Sequence, residues 1–430
     1  MKKVVKKIAL LLLVFGIGVG VTLLYTYNKY KVYEEEEPKQ IKKHVDTISM
    51  MLETEAGSGN YEMTTASSWP TEGYVFNTEL SKCENGGELS WDDENKRVLM
   101  SGNVSDKCYV YFDIYVPPTI ADFCNSGDTL TTCVKNFGNQ GTDMSNIYIH
   151  NSGLTNGAGD NSYRYAGASE VVNNFVCFGT NTTPCPTDNL YRIIGVFDGK
   201  VKLIKYDYAT SALLGTDGDY YGTETPNSSY YKGSLTTVNK YYWNNSTKKN
   251  TWSESELNKT NLNTNFITNI GTEWAQKIAM TTWKVGGNTW ANIGSQPAKI
   301  AYQNEIVSPV TTNTTDGATE CSAKIGLMYA SDYGFAADPS AWTTTLINYD
   351  ESVNGTTIRS QNWMHMGFDE WTISRIADIS DNAINVSFDG YVDNYHYVDY
   401  NIGVRPSFSL LSSTTYVSGS GSASDPMVIN

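Results

Sequence analysis

Six of the seven cysteines fall into three close sequential pairs, and this spacing constrains the fold more than any other feature of the chain. The pairs are Cys83 with Cys108, Cys124 with Cys133, and Cys177 with Cys185. No C-x-x-C spacing occurs, so zinc-ribbon and thioredoxin-type sites have no support in the sequence. Disulfides formed in an oxidising compartment are the simplest interpretation of the pairs. Cys321 is left over, either as a free thiol or as a competitor for one of these pairings.

The N-terminus combines four lysines with an uncharged apolar run from Ile8 to Tyr25. At about 1.5 Å per residue, a helix of this length reaches roughly 27 Å, enough to cross the hydrocarbon core of a bilayer. Lysines before the run and glutamates after it orient such a helix with its N-terminus in the cytoplasm. We therefore predict a single-pass protein of the cell membrane, held in the lipid bilayer by residues 8–25, with its bulk outside the cell. A cleaved signal peptide is the alternative, although no A-x-A-like site follows the run.

The balance of charge excludes one class of partner. The net charge is −15, and lysine and arginine form no cluster outside the extreme N-terminus. Because phosphate binding needs clustered cations, we expect no nucleic-acid partner. Only 18% of the residues are charged, while tyrosine alone contributes 30 residues. This polar, aromatic-rich mixture is typical of extracellular β-rich proteins.

Shifts in composition divide the chain into five predicted segments. They are the cytoplasmic lysines and membrane anchor helix (1–30), a stalk (31–55), a small β module (56–116), a loop-rich disulfide segment (119–189) and a C-terminal domain (190–430). The stalk is expected to include a short helix, because Val45, Ile48, Met51 and Leu52 recur at helical spacing. The stiff pair Pro117-Pro118 ends the β module as a linker.

Several elements of the C-terminal domain can be predicted from local signals. Asp198-Gly199 stands between two β-branched runs, a strong signal for a β-hairpin. Ser253, followed by a glutamate three residues later, predicts a short helix, and a second one is expected around Trp274 to Met280. The segment KIGLMYASDYGFA (324–336) is predicted as strand and turn, and GVRPSFSL (403–410) as a strand that closes a sheet.

Six motifs occur in a particular order between residues 190 and 411. They are YRIIGVFDGKVKLI, TWSESELNKTNLNTNF, KIGLMYASDYG, EWTISR, VSFDG and the terminal GVRPSFSL. This order resembles an uncharacterised bacterial surface-protein domain of unknown function, which is itself distantly similar to the C-type-lectin-like fold of formylglycine-generating enzymes. Together with the N-terminal features, the resemblance gives a predicted fold class of α+β: a transmembrane helix, a small disulfide-tied β module, and a C-type-lectin-like mixed domain around an antiparallel sheet. It implies no activity, because one fold can carry many functions.

The sequence lacks the motifs of several well-known catalytic chemistries. It contains no H-E-x-x-H zinc motif, no G-x-S-x-G nucleophile elbow and no G-x-x-x-x-G-K-[ST] phosphate loop. Formylglycine-generating enzymes depend on a late cysteine pair, and no cysteine follows Cys321. The 46 carboxylates would allow many acid pairs but single none out. We therefore predict no catalytic, cofactor-binding or metal-binding residues, no cofactor and no enzymatic activity.

Ligand binding is the function that these exclusions leave. Eight of the ten tryptophans follow residue 240, and most are expected in the core. Asn362 and Trp363, with Asp369 and Trp371, are the best candidate for an exposed binding patch. We predict a membrane-anchored bacterial cell-surface protein with a non-catalytic, ligand-binding or adhesive role, whose ligand is a glycan or a protein. Two alternatives stay open: a structural component of a surface appendage, and an extracellular enzyme without a recognisable motif.

The segment IGVRPSFSL (402–410) places one arginine inside an apolar run. Alternation assigns Val404, Pro406 and Phe408 to one face of the strand and Arg405 to the other. Its five N–H donors suit Arg405 to tying the strand to carbonyls or a carboxylate in neighbouring loops. We therefore predict that Arg405 is a structural clamp. Because Pro406 lacks an N–H, an edge position or a bend is expected there.

Overall fold

The computed structural model describes residues 47–102, 106–309 and 319–430. The predicted anchor at residues 8–25 and most of the predicted stalk lie outside these ranges. Within them, no helix has the length and apolar character needed to cross a membrane. This finding contradicts the predicted fold class, which included a transmembrane helix, and the predicted single-pass membrane location. The described chain consists mainly of short strands in several sheets, with short helices between them.

The chain divides into two compact units, Met1–Val116 and Pro117–Asn430, so the boundary coincides with the Pro117-Pro118 pair. The strands of the first unit are β1 (Thr47–Glu53), β2 (Tyr61–Met63), β3 (Tyr74–Phe76), β4 (Lys82–Cys83), β5 (Glu88–Asp92), β6 (Arg97–Ser101) and β7 (Lys107–Ile114). The main sheet has the order β2-β1-β7-β3, and β4 also pairs with β7. Its small core contains Met50, Phe76, Val110 and Phe112.

The predicted helix of the stalk is wrong where the structure describes it. Residues Thr47–Glu53 form strand β1, which pairs in parallel with β7 from Thr47 to Leu52. The partner strand lies more than fifty residues further along the chain, so its contribution is invisible in the local spacing of apolar residues. Tertiary pairing thus overrides a weak helical pattern.

The second unit contains the remaining strands and all the α-helices of the described residues. The strands are β8 (Ile147–Ile149), β9 (Tyr163–Tyr165), β10 (Phe175–Cys177), β11 (Leu190–Phe197), β12 (Lys200–Lys205), β13 (Tyr220–Glu224), β14 (Val238–Tyr242), β15 (Thr281–Lys284), β16 (Gly287–Asn288), β17 (Glu320–Ala323), β18 (Ile325–Gly326), β19 (Ser352–Val353), β20 (Thr356–Thr357), β21 (Glu370–Ile376), β22 (Asn382–Val386), β23 (Val392–Tyr397), β24 (Asn401–Ile402), β25 (Ser407–Ser409), β26 (Tyr416–Ser418) and β27 (Val428–Ile429). The helices are α1 (Leu130–Gly138), α2 (Thr142–Ser145), α3 (Ser211–Leu214), α4 (Ile267–Asn269), α5 (Thr272–Lys277), α6 (Trp290–Ile293), α7 (Ala298–Tyr302) and α8 (Ala330–Ala336).

The largest sheet of this unit has the strand order β18-β25-β12-β11-β9-β8, and β10 also pairs with β11. Strands from the predicted loop-rich segment (119–189) therefore share one sheet with strands from the predicted C-terminal domain (190–430). A second sheet has the order β16-β21-β22-β23. Apolar residues of both sheets belong to one continuous core, which includes Trp243, Trp252 and Trp342.

The β11–β12 hairpin at the centre of the large sheet confirms the prediction from Asp198-Gly199. Phe197 pairs with Lys200, so Asp198 and Gly199 between them form the turn. Asp198 has a φ of 47° and Gly199 a φ of 75°. Positive φ at both central positions is characteristic of the type I′ turn, whose twist matches that of the flanking strands.

In the C-terminal half, the predicted helices are found, whereas a segment predicted as strand and turn is largely helical. Residues Leu257–Phe266 form a π-helix, and α5 (Thr272–Lys277) follows where the second helix was expected. By contrast, the segment 324–336 contains only the two-residue strand β18 before it turns into helix α8. An acidic residue in the first turn of α8, Asp332, accepts the backbone N–H of Tyr329 and stabilises the helix start.

The closing strand is an interior strand of the large sheet. β25 begins at Ser407, directly after Pro406, and pairs with β12 on one side and β18 on the other. The expected edge position is therefore wrong. Pro406 tolerates this location because it precedes the ladder, and its carbonyl accepts the N–H of Lys205 at 3.0 Å.

The three predicted disulfides are present. Cys83 is bonded to Cys108, Cys124 to Cys133, and Cys177 to Cys185. The first joins β4 to β7, and the third joins the end of β10 to the following loop. Cys321, half-buried on β17, is the free cysteine of the described residues.

Candidate functional site

The predicted binding patch is wrong, because its tryptophans lie in the core. Trp363 and Trp371 are each 1% exposed, and both indole N–H groups donate to backbone carbonyls at 2.9 Å. Asn362 is fully buried, and Asp369 accepts the backbone N–H of Phe388 at 2.7 Å. Residues whose polar atoms are satisfied inside the protein offer little to an external ligand.

Arg405 is buried and bound on every side by the protein. Its Nε and Nη2 atoms donate to the two carboxylate oxygens of Glu370, at 2.6 and 2.5 Å. Nη2 also donates to the carbonyl of Met364 at 2.6 Å, and Nη1 to that of Tyr206 at 3.4 Å. Burial alone would lower the pKa of Arg405, but the charge and hydrogen bonds of Glu370 outweigh it and raise that pKa. We interpret Arg405 as a structural clamp between the closing strand and β21.

A cleft of about 410 Å³ in the second unit brings together residues that the sequence did not single out. It lies between the β11–β12 hairpin, strand β15, helix α7 and the start of α8. We call it the Lys202 cleft, after the lysine at its floor. Its charged lining residues are Arg164, Lys200, Lys202, Lys284, Asp160, Asp198 and Asp332.

Four of these side chains form a connected network. Nζ of Lys202 donates to Oδ2 of Asp332 at 2.5 Å, and Oδ1 of Asp332 lies 3.6 Å from Nη1 of Arg164. Nη2 of Arg164 donates to Oδ2 of Asp160 at 2.7 Å. The side chains of Lys202, Asp332 and Arg164 are only 8%, 3% and 2% exposed. Each buried charge is therefore held in place by an opposite one, as its burial requires.

Local structure explains how the two carboxylates are positioned. Asp332 lies in the first turn of α8, where its Oδ2 atom accepts the N–H of Tyr329 at 3.0 Å. Asp160 precedes β9 and accepts both the backbone N–H and the hydroxyl of Ser162, at 3.1 and 2.5 Å. Burial alone would raise the pKa of Asp160, but Arg164 and Ser162 outweigh it and lower that pKa to about 2. Asp160 is therefore ionised throughout the neutral range.

Aromatic rings surround the two buried cations. Nζ of Lys202 lies 4.6 Å from the ring centroid of Tyr329, 5.3 Å from that of Trp283 and 5.7 Å from that of Phe197. The guanidinium carbon of Arg164 lies 4.6 Å from the ring centroid of Phe197. Rings at these distances attract cations and exclude water. Burial lowers the pKa of Lys202, which weakens its hold on the proton.

A further carboxyl group, that of Glu305, lies completely buried close to this network. Its Oε2 atom accepts the backbone N–H of Ser331 at 3.1 Å, and its Oε1 atom accepts the hydroxyl of Ser374 at 2.5 Å. Burial raises the pKa of Glu305 to about 7. Glu305 is therefore a carboxyl group that exchanges its proton near neutral pH, inside the protein rather than in the cleft.

The described residues include two groups of potential metal ligands, and both belong to disulfides. Cys83 and Cys108 lie beside Asp106, and Cys124 and Cys133 lie beside Asp128. Because the sulfur atoms are bonded to each other, neither group supplies the thiolates that a zinc or iron site uses.

Sequence reasoning missed the cleft because its residues come from distant segments. Arg164 lies on β9, Lys202 on β12 and Asp332 on α8. One local signal was present, since the strand KVKLIK places Lys202 within an otherwise apolar run. A lysine in the centre of a buried strand must find a carboxylate or an opening, and here it has both.

Comparisons with protein-family models, with curated proteins and with solved structures found no match. The resemblance of the motifs in residues 190–411 to a bacterial surface-protein domain therefore stays a prediction.

Proposed function

We propose that this chain binds a glycan in the Lys202 cleft and does not transform it. The observation that carries the proposal is the floor of the cleft, where buried donors and acceptors are fixed beside ring surfaces. A cleft of about 410 Å³ falls in the range of small-molecule sites, which is about 300–1,000 Å³. The three disulfides support a role in an oxidising compartment, where such bonds persist.

The mixture of polar groups favours a polyhydroxylated ligand. Sugar hydroxyls both donate and accept hydrogen bonds, and the cleft offers carboxylate acceptors such as Asp160 beside cationic donors such as Lys200. Four cationic and three acidic side chains line the cleft, so its charges nearly cancel. Phe197 and Met280 contribute apolar surface, on which the C–H face of a sugar ring can pack. A ligand with a large charge of either sign finds no matching excess here.

The arrangement of acids supports binding rather than glycoside hydrolysis. Hydrolysis needs one protonated carboxylic acid facing the substrate. Asp160 has a pKa of about 2 and is paired with Arg164, so it stays ionised. The carboxyl group with a suitable pKa, that of Glu305, is completely buried.

A glycan array probed with the full chain tests the proposal, followed by titration calorimetry with the best glycan. The informative variant is Asp160→Asn, which keeps the shape of the side chain but removes its charge. We expect the affinity to fall by about tenfold or more, the cost of one charged hydrogen bond. Glu224→Gln is the matched control, because Glu224 pairs with Lys240 outside the cleft and should leave the affinity unchanged.

Two results would overturn the proposal: no glycan bound by the full chain, or the same affinity for wild type and Asp160→Asn. Circular dichroism of both variants shows that the comparison is made between folded proteins. A release of free sugar from the bound glycan would contradict the non-catalytic part.

A further inference from the structure

Three side chains near the floor of the Lys202 cleft have the chemistry of an internal condensation. Lys202 supplies an amine, Asp332 a carboxyl group 2.5 Å from it, and Glu305 a second carboxyl group whose oxygen accepts the N–H of the residue before Asp332. All three are buried. Glu305 also interacts electrostatically with both members of the pair.

We propose that the folded chain joins Lys202 to Asp332 through an amide bond, with Glu305 as the proton carrier. Proton transfer within the ion pair first gives a neutral amine and a neutral carboxylic acid. The lone pair of Nζ then attacks Cγ of Asp332, so a C–N bond forms. One C–O bond breaks, and the oxygen leaves with the bonding electrons as water. Nζ keeps one hydrogen, nothing is oxidised or reduced, and Glu305 gives and regains a proton without net change.

The surroundings favour both the reactants and the product of this step. The rings of Tyr329, Trp283 and Phe197 shield Nζ, and burial lowers the pKa of Lys202, which makes the neutral amine accessible. Burial also keeps Glu305 protonated up to neutral pH, with a pKa of about 7. Condensation replaces two buried charges by one neutral amide, which removes the desolvation penalty of the ion pair.

Groups that stabilise negative charge lie next to the oxygens of Asp332. Nη1 of Arg164 is 3.6 Å from Oδ1, and the backbone N–H of Tyr329 is 3.0 Å from Oδ2. When Nζ attacks Cγ, negative charge grows on these oxygens. Fixed donors aimed at that position lower the barrier, as oxyanion holes do in acyl transfer.

Two other buried cations of the same unit lack one of the necessary parts. Arg405 touches Glu370 just as closely, but a guanidinium group does not give up its proton and cannot act as the nucleophile. Lys205 is also buried, yet its nearest carboxylate, that of Asp188, is 3.9 Å away and 68% exposed. The complete set of amine, carboxyl group and buried proton carrier occurs at Lys202. The proposed glycan contacts of Asp160 and Lys200 do not use the charges of Lys202 and Asp332, so a failure of one proposal can be distinguished from a failure of the other.

Mass spectrometry of the reduced and denatured full chain tests the proposal. We expect an intact mass below that of the sequence by one water molecule. Succinimide formation at an Asp-Gly pair such as Asp198-Gly199 also removes water, so digestion must show where the loss lies. The expected fragment is a branched peptide that contains both Lys202 and Asp332. An intact mass equal to that of the sequence, or a loss traced to an Asp-Gly pair, would overturn the proposal.

Variants separate the reactants from the proton carrier. Lys202→Arg keeps the charge but cannot condense, so the full sequence mass should return. Glu305→Gln keeps the shape but not the exchangeable proton, so the branched peptide should be lost or form far more slowly. Lys205→Arg is the matched control and should retain the branched peptide in full. A branched peptide of unchanged abundance in Glu305→Gln would refute the role given to Glu305, and its loss in Lys205→Arg would refute the assigned site.

Discussion

Two of the buried ion pairs in the described part of the second unit differ in whether they border an open cleft. Arg405 and Glu370 are enclosed, and the remaining donors of Arg405 meet backbone carbonyls. Lys202 and Asp332 are almost as deeply buried, yet they border a cleft of about 410 Å³. Two ion pairs of similar burial thus have different surroundings, one enclosed by the protein and the other beside a cleft. A charge that is completely satisfied by the protein stabilises the fold, whereas one that faces an opening remains available to a ligand or a reaction.

The largest effect is expected from breaking the enclosed pair. Arg405→Met removes the cation and leaves Glu370 as an uncompensated buried charge, so the free energy of unfolding should fall by about 3–5 kcal/mol. Urea denaturation followed by tryptophan fluorescence measures this loss. Eight of the ten tryptophans follow residue 240, so the signal mainly reports the second unit.

Two further variants show whether charge or geometry is responsible. Arg405→Met combined with Glu370→Met should recover most of the stability, because removing both charges avoids the unpaired one. Arg405→Lys keeps the charge but not the fork that contacts both oxygens of Glu370, so its loss should be intermediate. A loss below about 1 kcal/mol for Arg405→Met would contradict the clamp.

The same contrast explains which parts of the molecule could be predicted from the sequence. The Asp198-Gly199 hairpin and the cysteine pairs are local, and their physical signals lie within a few dozen residues. The local spacing of apolar residues predicts a helix where strand β1 lies, because its partner, β7, is remote in sequence. The apolar residues around Arg405 indicate a special role for it, but its partner Glu370 belongs to a strand that no local signal connects to it.

The cleft was beyond sequence reasoning for a related reason. Lys202 and Asp332 of the cleft and the buried Glu305 beside them come from three segments, and chain folding alone brings them together. Short motifs work where chemistry needs a fixed spacing along one element, as in H-E-x-x-H. The predicted binding patch at Trp363 and Trp371 is wrong for a different reason. The sequence shows which residues are aromatic, but whether they face solvent depends on the complete packing.

A second test concerns the buried acid beside the cleft and its dependence on pH. The pKa of Glu305 is raised from 4.5 to about 7, so the folded state binds its proton more tightly than the unfolded state. The free energy of unfolding should therefore fall as pH rises from about 4.5 to 7, and then level off. The total change from this group is on the order of 3 kcal/mol.

Glu305→Gln should remove this part of the pH dependence. The amide can still accept the N–H of Ser331 and can donate to the hydroxyl of Ser374, so the local contacts survive. The comparison is made in a Lys202→Arg background, where neither protein can form the amide; there, Glu305→Gln should match its parent near pH 4 and exceed it in stability near pH 8. Denaturation curves across this pH range provide the measurement, and parallel profiles for the two proteins would contradict the assignment of the titration to Glu305.

The smallest effect is expected at the rim of the cleft, where Lys284 pairs with Glu320. Their side chains are 34% and 49% exposed, so water already solvates both charges. Lys284→Gln should change the free energy of unfolding by less than about 1 kcal/mol, measured by the same urea titration as for Arg405. Lys284 also lines the cleft, but it is not buried. This variant therefore shows whether a position near the cleft is enough for an ion pair to stabilise the fold. A loss as large as that of Arg405→Met would mean that a solvated ion pair stabilises the fold as much as an enclosed one, which would contradict the role given to enclosure. A small loss would support the conclusion that enclosure by the protein, and not ion pairing alone, makes the Arg405–Glu370 pair structural.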